Sequence, residues 1–176
     1  MRTLLAPILL SMPALAADRF WEAAAVKAAC GSDSVKFNVT SNVAQPLAQP
    51  DAGKALVYVV EQFDGPVNEL VTPTVRVGFD GAWVGANYGT SYLFFTVDPG
   101  AHHLCSDWQS FPPLVPHIQP SLVSLTAETG QTYYFRAHIV LHSGNGPWTL
   151  DLERLDSDEG QLLVDTSQPS GYKQKK

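Results

Sequence analysis

From Ala55 onward the chain runs in short stretches of alternating apolar and polar positions, each closed by Gly, Pro, Asp or Asn. A period of two marks strands that lay one face on a core. The run "ALVYVVEQF" is apolar at both parities, which predicts a central strand covered on both sides. In "TVRVGFDGAWVGA" two runs flank Asp80-Gly81, a pair suited to a two-residue hairpin turn. That turn predicts Phe79 opposite Ala82, Gly78 opposite Trp83, Val77 opposite Val84 and Val75 opposite Ala86. "TSYLFFTV", "HHLCSDW", "SLVSLTA", "TYYFRAHIVL" and "WTLDLERL" continue the series, with a last short strand at "QLLV". Tyr133, Phe135, Ala137, Ile139 and Leu141 share one face, with Tyr134 turned outward.

Ahead of the strands, "ADRFWEAAAVKAAC" predicts a short helix. Asp18 can cap it, Glu22 suits its positive first turn, its alanines favour helix, and Gly31 can end it. "VKFNVT" alternates as a strand, and "SNVAQPLAQPDAGK" has the composition of an extended linker. About eight short strands at regular spacing predict an all-β fold, an antiparallel β-sandwich with a short N-terminal α-helix.

The first sixteen residues change the picture of compartment. Arg2, the apolar run Thr3–Leu10 and Ala14-Leu15-Ala16 are arranged as a cleavable secretory signal. The run is too short to span a bilayer, and no other apolar stretch is long enough. The expected division is a signal over 1–16, a helix, strand and linker over 17–52, the sandwich over 53–165 and a disordered polar tail over 166–176. The mature product is expected in the periplasm or outside the cell. Formal net charge is −6, and loss of Arg2 makes it −7, with no basic stripe. That balance argues against nucleic acid and anionic membranes as partners, because both require clustered Lys and Arg.

"GKALVYV", "VRVGFDGAWVG", "GTSYLFFTVDPGAHHL" and "AETGQTYYFRA" follow one another in an order that resembles a bacterial family known only as a domain of unknown function. Its members are small exported or lipoprotein-borne domains. The "DG…VG" hairpin and the "PGxH" turn also resemble PEGA-type β-sandwich modules of bacterial envelope proteins. The resemblance spans about Gly53 to Gly160 and implies a fold and a compartment. It brings no established activity, and no lipidated cysteine is present to match a lipoprotein.

Candidate chemistry centres on "HHLCSDW". On a strand, His102 shares a face with Leu104, Ser106 and Trp108, while His103 shares one with Cys105 and Asp107, so the two imidazoles diverge. His102 is expected as a partly buried ring bonded to backbone in the Pro99-Gly100 turn. His138 and His142 have helical ligand spacing, but on a strand four residues span about 13 Å, too far to share a zinc. A metal site would have to use His103, His117 or His138 with distant carboxylates.

Two cysteines in an exported chain favour a disulfide, Cys30 to Cys105. The rival is a nucleophilic Cys105 activated by His103. Trp83, with Arg76 on the same face and Tyr88 and Tyr92 nearby in sequence, is the candidate binding surface, against cross-strand packing on Gly78 or cover by Phe20 and Trp21. "DLERLDSDEGQLLVD" is an acidic segment suited to a solvated turn, without EF-hand spacing. The nucleophile elbow, phosphate loop and dinucleotide fingerprint are missing, and no cofactor is implied.

The expected function is therefore an exported, non-catalytic envelope module that recognises an envelope protein or a glycan, or serves a structural role. The alternatives are a periplasmic metal-binding protein that uses its histidines and a hydrolase.

Overall fold

The computed structural model describes residues 26, 28–40, 48–65, 72–110, 120–142 and 147–176. Strand β1, Phe37–Thr40, stands before the sandwich proper. β2, Ala55–Phe63, is followed by β3, Thr74–Phe79, β4, Ala82–Tyr88, β5, Ser91–Val97, and β6, Gly100–Ser110. β7, Ser121–Ala127, β8, Thr132–Val140, and β9, Thr149–Leu155, lead to helix α1, Ser157–Thr166. β10, Gln168–Pro169, and β11, Gly171–Gln174, finish the chain. The fold is all-β, with a five-stranded sheet ordered β10-β5-β2-β8-β9, a four-stranded sheet ordered β4-β3-β6-β7, and a ribbon of β1 with β11.

β2 is central, as its apolar run requires. Ala55, Val57, Val59 and Phe63 enter the core between the sheets, where they meet Val75, Val77, Leu104, Phe135 and Ile139. Leu56, Tyr58 and Val60 face the other way, into a second cluster with Tyr92, Tyr134, Leu155 and Val164. β2 and β8 run parallel, Val57 beside Tyr133, so the sheet is mixed where antiparallel order was expected. Parallel neighbours need a long crossover, and here the chain visits β3 to β7 between the two strands.

The Asp80-Gly81 turn forms, with φ of 47° and 82° at its two residues. Phe79 faces Ala82 and Gly78 faces Trp83, but beyond them the register shifts by one. Val77 faces Gly85 and Val75 faces Asn87, rather than Val84 and Ala86. A bulge at Val84 absorbs the extra residue, and Val84 still packs against the core. Asn87, not Ala86, therefore points between the sheets.

The largest departure lies after Leu155. "QLLV" belongs to α1, where Asp156 caps the helix by accepting from Glu159 N at 2.8 Å. Asp158 and Glu159 occupy the positive first turn. Gly160 lets α1 lie on the Tyr134 ring, where a Cβ would collide with the ring carbons. The expected disordered tail is instead paired. β10 joins β5, Ser170 Oγ lies 2.7 Å from Ser91 Oγ in a buried contact, and β11 pairs with β1 from Gly171↔Thr40 to Gln174↔Phe37. Tyr172 meets the Phe37 ring edge-on at 5.9 Å and lies where a Gly85 side chain would stand.

Candidate functional site

Val26, Ala28 and Ala29 are helical, and Cys30 N donates to Val26 O at 2.7 Å. Asp18, Phe20, Trp21 and Glu22 lie outside the described residues. Cys30 meets Cys105 in a disulfide with Cα atoms 5.3 Å apart. The bridge presses residues 29–32 onto the outer face of the four-stranded sheet, where Gly78 leaves room for the Ala29 carbonyl and Gly31 for the Trp83 ring.

That contact corrects the expected binding surface. Trp83 donates its Nε1–H to Ser32 O at 2.8 Å and supports the Arg76 guanidinium, whose Cζ lies 4.1 Å from the ring centroid. Arg76 itself is 4 % exposed and is held by Asp107 and by Val35 O, so it offers nothing to a partner. Tyr92 belongs to the other sheet and is 5 % exposed in the Tyr58 cluster. Residues 29–35 cover Arg76 and Trp83, which stay together, while Tyr92 is set apart on the other sheet. Only Tyr88 reaches a cleft, described below.

His102 is extended on β6, with Nδ1 2.7 Å from Asp80 Oδ2 and Nε2 2.8 Å from Asp98 O. A carbonyl and a carboxylate both accept, so this geometry requires a proton on each ring nitrogen. Burial alone would lower the His102 pKa, but the two acceptors outweigh it and hold the value above 6.5. Asp80 closes the corner through Oδ1, which accepts from His103 N at 2.8 Å.

His103 stands on the four-stranded sheet, whereas His138 stands on the five-stranded sheet beside Asp64, Nε2 to Oδ2 2.9 Å. His117 lies outside the described residues. The structure does not bring His103 and His138 together, and among the described residues no three His, Cys, Asp or Glu side chains converge on a metal-sized point. Cys105, bridged to Cys30, is not available as a thiolate. The acidic segment is used structurally. Glu153 and Glu159 bind Arg136 at 2.7 and 2.9 Å, and Asp156 caps α1.

One buried acid escaped the sequence reading. Glu61 has the same parity on β2 as Val57, Val59 and Phe63, and it is fully buried between the sheets. Burial raises its pKa well above 4.5. The backbone amides of Gly89 and Val75 oppose that rise, yet they lie short of full hydrogen-bond geometry. Asn87, also buried, donates Nδ2–H to Val59 O at 3.0 Å. The signal was available in the alternation itself, which puts a carboxyl at an inward position.

The second site that sequence reasoning missed is an open cleft of about 560 Å³ between the ribbon and the far end of the four-stranded sheet. Lys36, Asn38, Val39 and Lys175 come from the ribbon side, Thr74, Tyr88 and Ser110 from the strand ends. Gln109 fixes the join, accepting from Phe37 N at 2.6 Å and donating to Phe37 O at 2.9 Å. The cleft has the volume of a small-ligand site. Its polar groups can donate and accept hydrogen bonds and bind charge.

Fold and cleft together define a disulfide-stapled β-sandwich with a ribbon-walled groove at one end. No family model, no curated protein and no solved structure matches the chain.

Proposed function

We propose that this chain is an exported, non-catalytic β-sandwich module of the bacterial cell envelope, and that it recognises its partner through the cleft beside the β1–β11 ribbon. The cleft carries this reading. It is concave, lined about equally by polar and apolar surface, and built on strand ends held by Gln109, while the chemically suggestive side chains elsewhere are engaged in packing. Cys105 is bridged, His102 is bonded at both nitrogens and Arg76 is paired. Export is supported by the signal-like first sixteen residues and by a cysteine pair suited to an oxidising compartment. Among the described residues, no helix is long and apolar enough to cross a membrane.

The test is co-sedimentation of the oxidised protein lacking residues 1–16 with insoluble bacterial envelope material. Saturable binding is expected, weakened about tenfold (roughly 1.4 kcal/mol) by Ser110→Trp, which fills the cleft from an exposed position. Binding indifferent to Ser110→Trp, or turnover of an envelope polymer, contradicts the proposal.

A further inference from the structure

The cations of this protein are unevenly committed. Among the described residues, Lys54 is paired with Asp98, Arg76 with Asp107, and Arg136 with Glu153 and Glu159. Arg154 lies over the Tyr133 ring. The described lysines without an acidic partner among the described residues are Lys36, Lys173, Lys175 and Lys176, all on or beside the ribbon of a chain whose net charge is −6.

Two of them line the cleft, and their placement there is electrostatically unfavourable. The register Phe37↔Gln174 continues outward to Lys36 opposite Lys175, and Lys175 N donates to Lys36 O at 2.7 Å. Like charges directly opposite on paired strands destabilise the pair. Among the described residues, no Asp or Glu lines the cleft to relieve them. Beside the lysines stand Asn38, Tyr88 and Ser110, which carry an amide and two hydroxyls, while Phe37 and Thr74 contribute from buried positions.

We infer that the cleft is a binding site for an anionic polysaccharide, a chain that carries both carboxylate or phosphate groups and sugar hydroxyls. The inference rests on the recognition reading above and names its ligand class. Lys36 and Lys175 meet the anionic group, whose binding relieves their mutual repulsion. The hydroxyl and amide side chains meet the sugar hydroxyls, and the half-buried ring of Tyr88 provides an apolar wall. A concave, hydroxyl-rich groove with two cations suits a sugar chain better than a bilayer or a polynucleotide, which needs an extended basic face.

The experiment is affinity electrophoresis of the oxidised protein lacking residues 1–16 in gels containing polygalacturonate, poly(glycerol phosphate), neutral dextran or polyglutamate, with phosphatidylglycerol vesicles tested by flotation. One of the two anionic polymers, carboxylate or phosphate, is expected to bind about tenfold more tightly than dextran, and raising salt from about 0.05 to about 0.5 M should weaken it. Lys36→Gln with Lys175→Gln should weaken binding about tenfold, whereas Lys173→Gln with Lys176→Gln, outside the lining, should change it less than about twofold. Equal affinity for dextran, tighter binding of polyglutamate or vesicles, or equal losses in the two double variants overturn the inference. If no polymer binds while envelope material is still bound in a Ser110-dependent way, only the ligand class fails. If both are lost, the recognition reading fails with it.

Discussion

The carboxamide of Gln109 takes the place of a neighbouring strand for Phe37. It accepts from the Phe37 N–H at 2.6 Å and donates to the Phe37 carbonyl at 2.9 Å, across 72 positions of sequence. One side chain thus sets how the ribbon meets the sheet and shapes the cleft between them. Gln109→Leu leaves both main-chain groups without that partner, which costs about 1–3 kcal/mol. Urea unfolding should report that loss, and envelope binding should fall with it. A Leu variant unchanged in both respects removes Gln109 from the account.

Glu61 links stability to pH. Its folded-state pKa is raised above the ordinary 4.5 because burial disfavours the charged form. The stability tied to its neutral form is therefore fully present below about pH 4.5 and is lost as pH rises through the folded-state value. Glu61→Gln cannot ionise, so its urea midpoint should fall less than the wild type's between mildly acidic and mildly alkaline pH. Parallel curves for the two proteins would show that Glu61 ionises in the fold as it does in the unfolded chain, so that burial does not raise its pKa.

His102 acts in the same direction at the other end of β6. Burial lowers its pKa, but Asp80 and the Asp98 carbonyl raise it on balance, so the stability it contributes is complete below about pH 6.5 and is lost as pH rises through the folded-state value. Asp80→Asn removes the carboxylate partner. An NMR titration of the imidazole should then place the His102 pKa lower than in the wild type. An unshifted titration would mean that the 2.7 Å contact does not hold the charge.

The Cys30–Cys105 bridge closes a separation of 75 residues, for which the chain-entropy relation gives roughly 4 kcal/mol. Reduction should lower Tm by about 10 °C. It should also expose Trp83, which is covered by Gly31 and bonded to Ser32, and so red-shift its fluorescence. Two titratable thiols in the unfolded, unreduced protein would show that the bridge does not form.

The parts of this fold visible in the sequence were those set by neighbours in sequence. Alternation identified β2 as central and put Tyr133, Phe135, Ala137 and Ile139 inward on β8, and Asp80-Gly81 announced its turn. The helix α1 was missed although Asp156 and Glu159 formed a capping signal, because the apolar "QLLV" suits either a strand or a helix face. The pairing of β11 with β1 spans most of the chain, and no local pattern encodes it. The cleft depends on that pairing, so it could not be read either. Arg76 and Trp83 were correctly placed on one face, but the segment that covers them comes from residues 29–35. The cysteine pair, and the alternative that the N-terminal segment covers Trp83, pointed to that return.

The most direct measurement is backbone amide NMR of the oxidised protein titrated with an oligogalacturonate and, in parallel, with a glycerol phosphate oligomer. Shifts should gather at Lys36, Asn38, Val39, Tyr88, Ser110 and Lys175 for at least one of the two. Shifts gathered around Asp80, Asp98 and His102 at the opposite end of β6 would contradict the cleft as the recognition site, and none with either oligomer would contradict its ligand class.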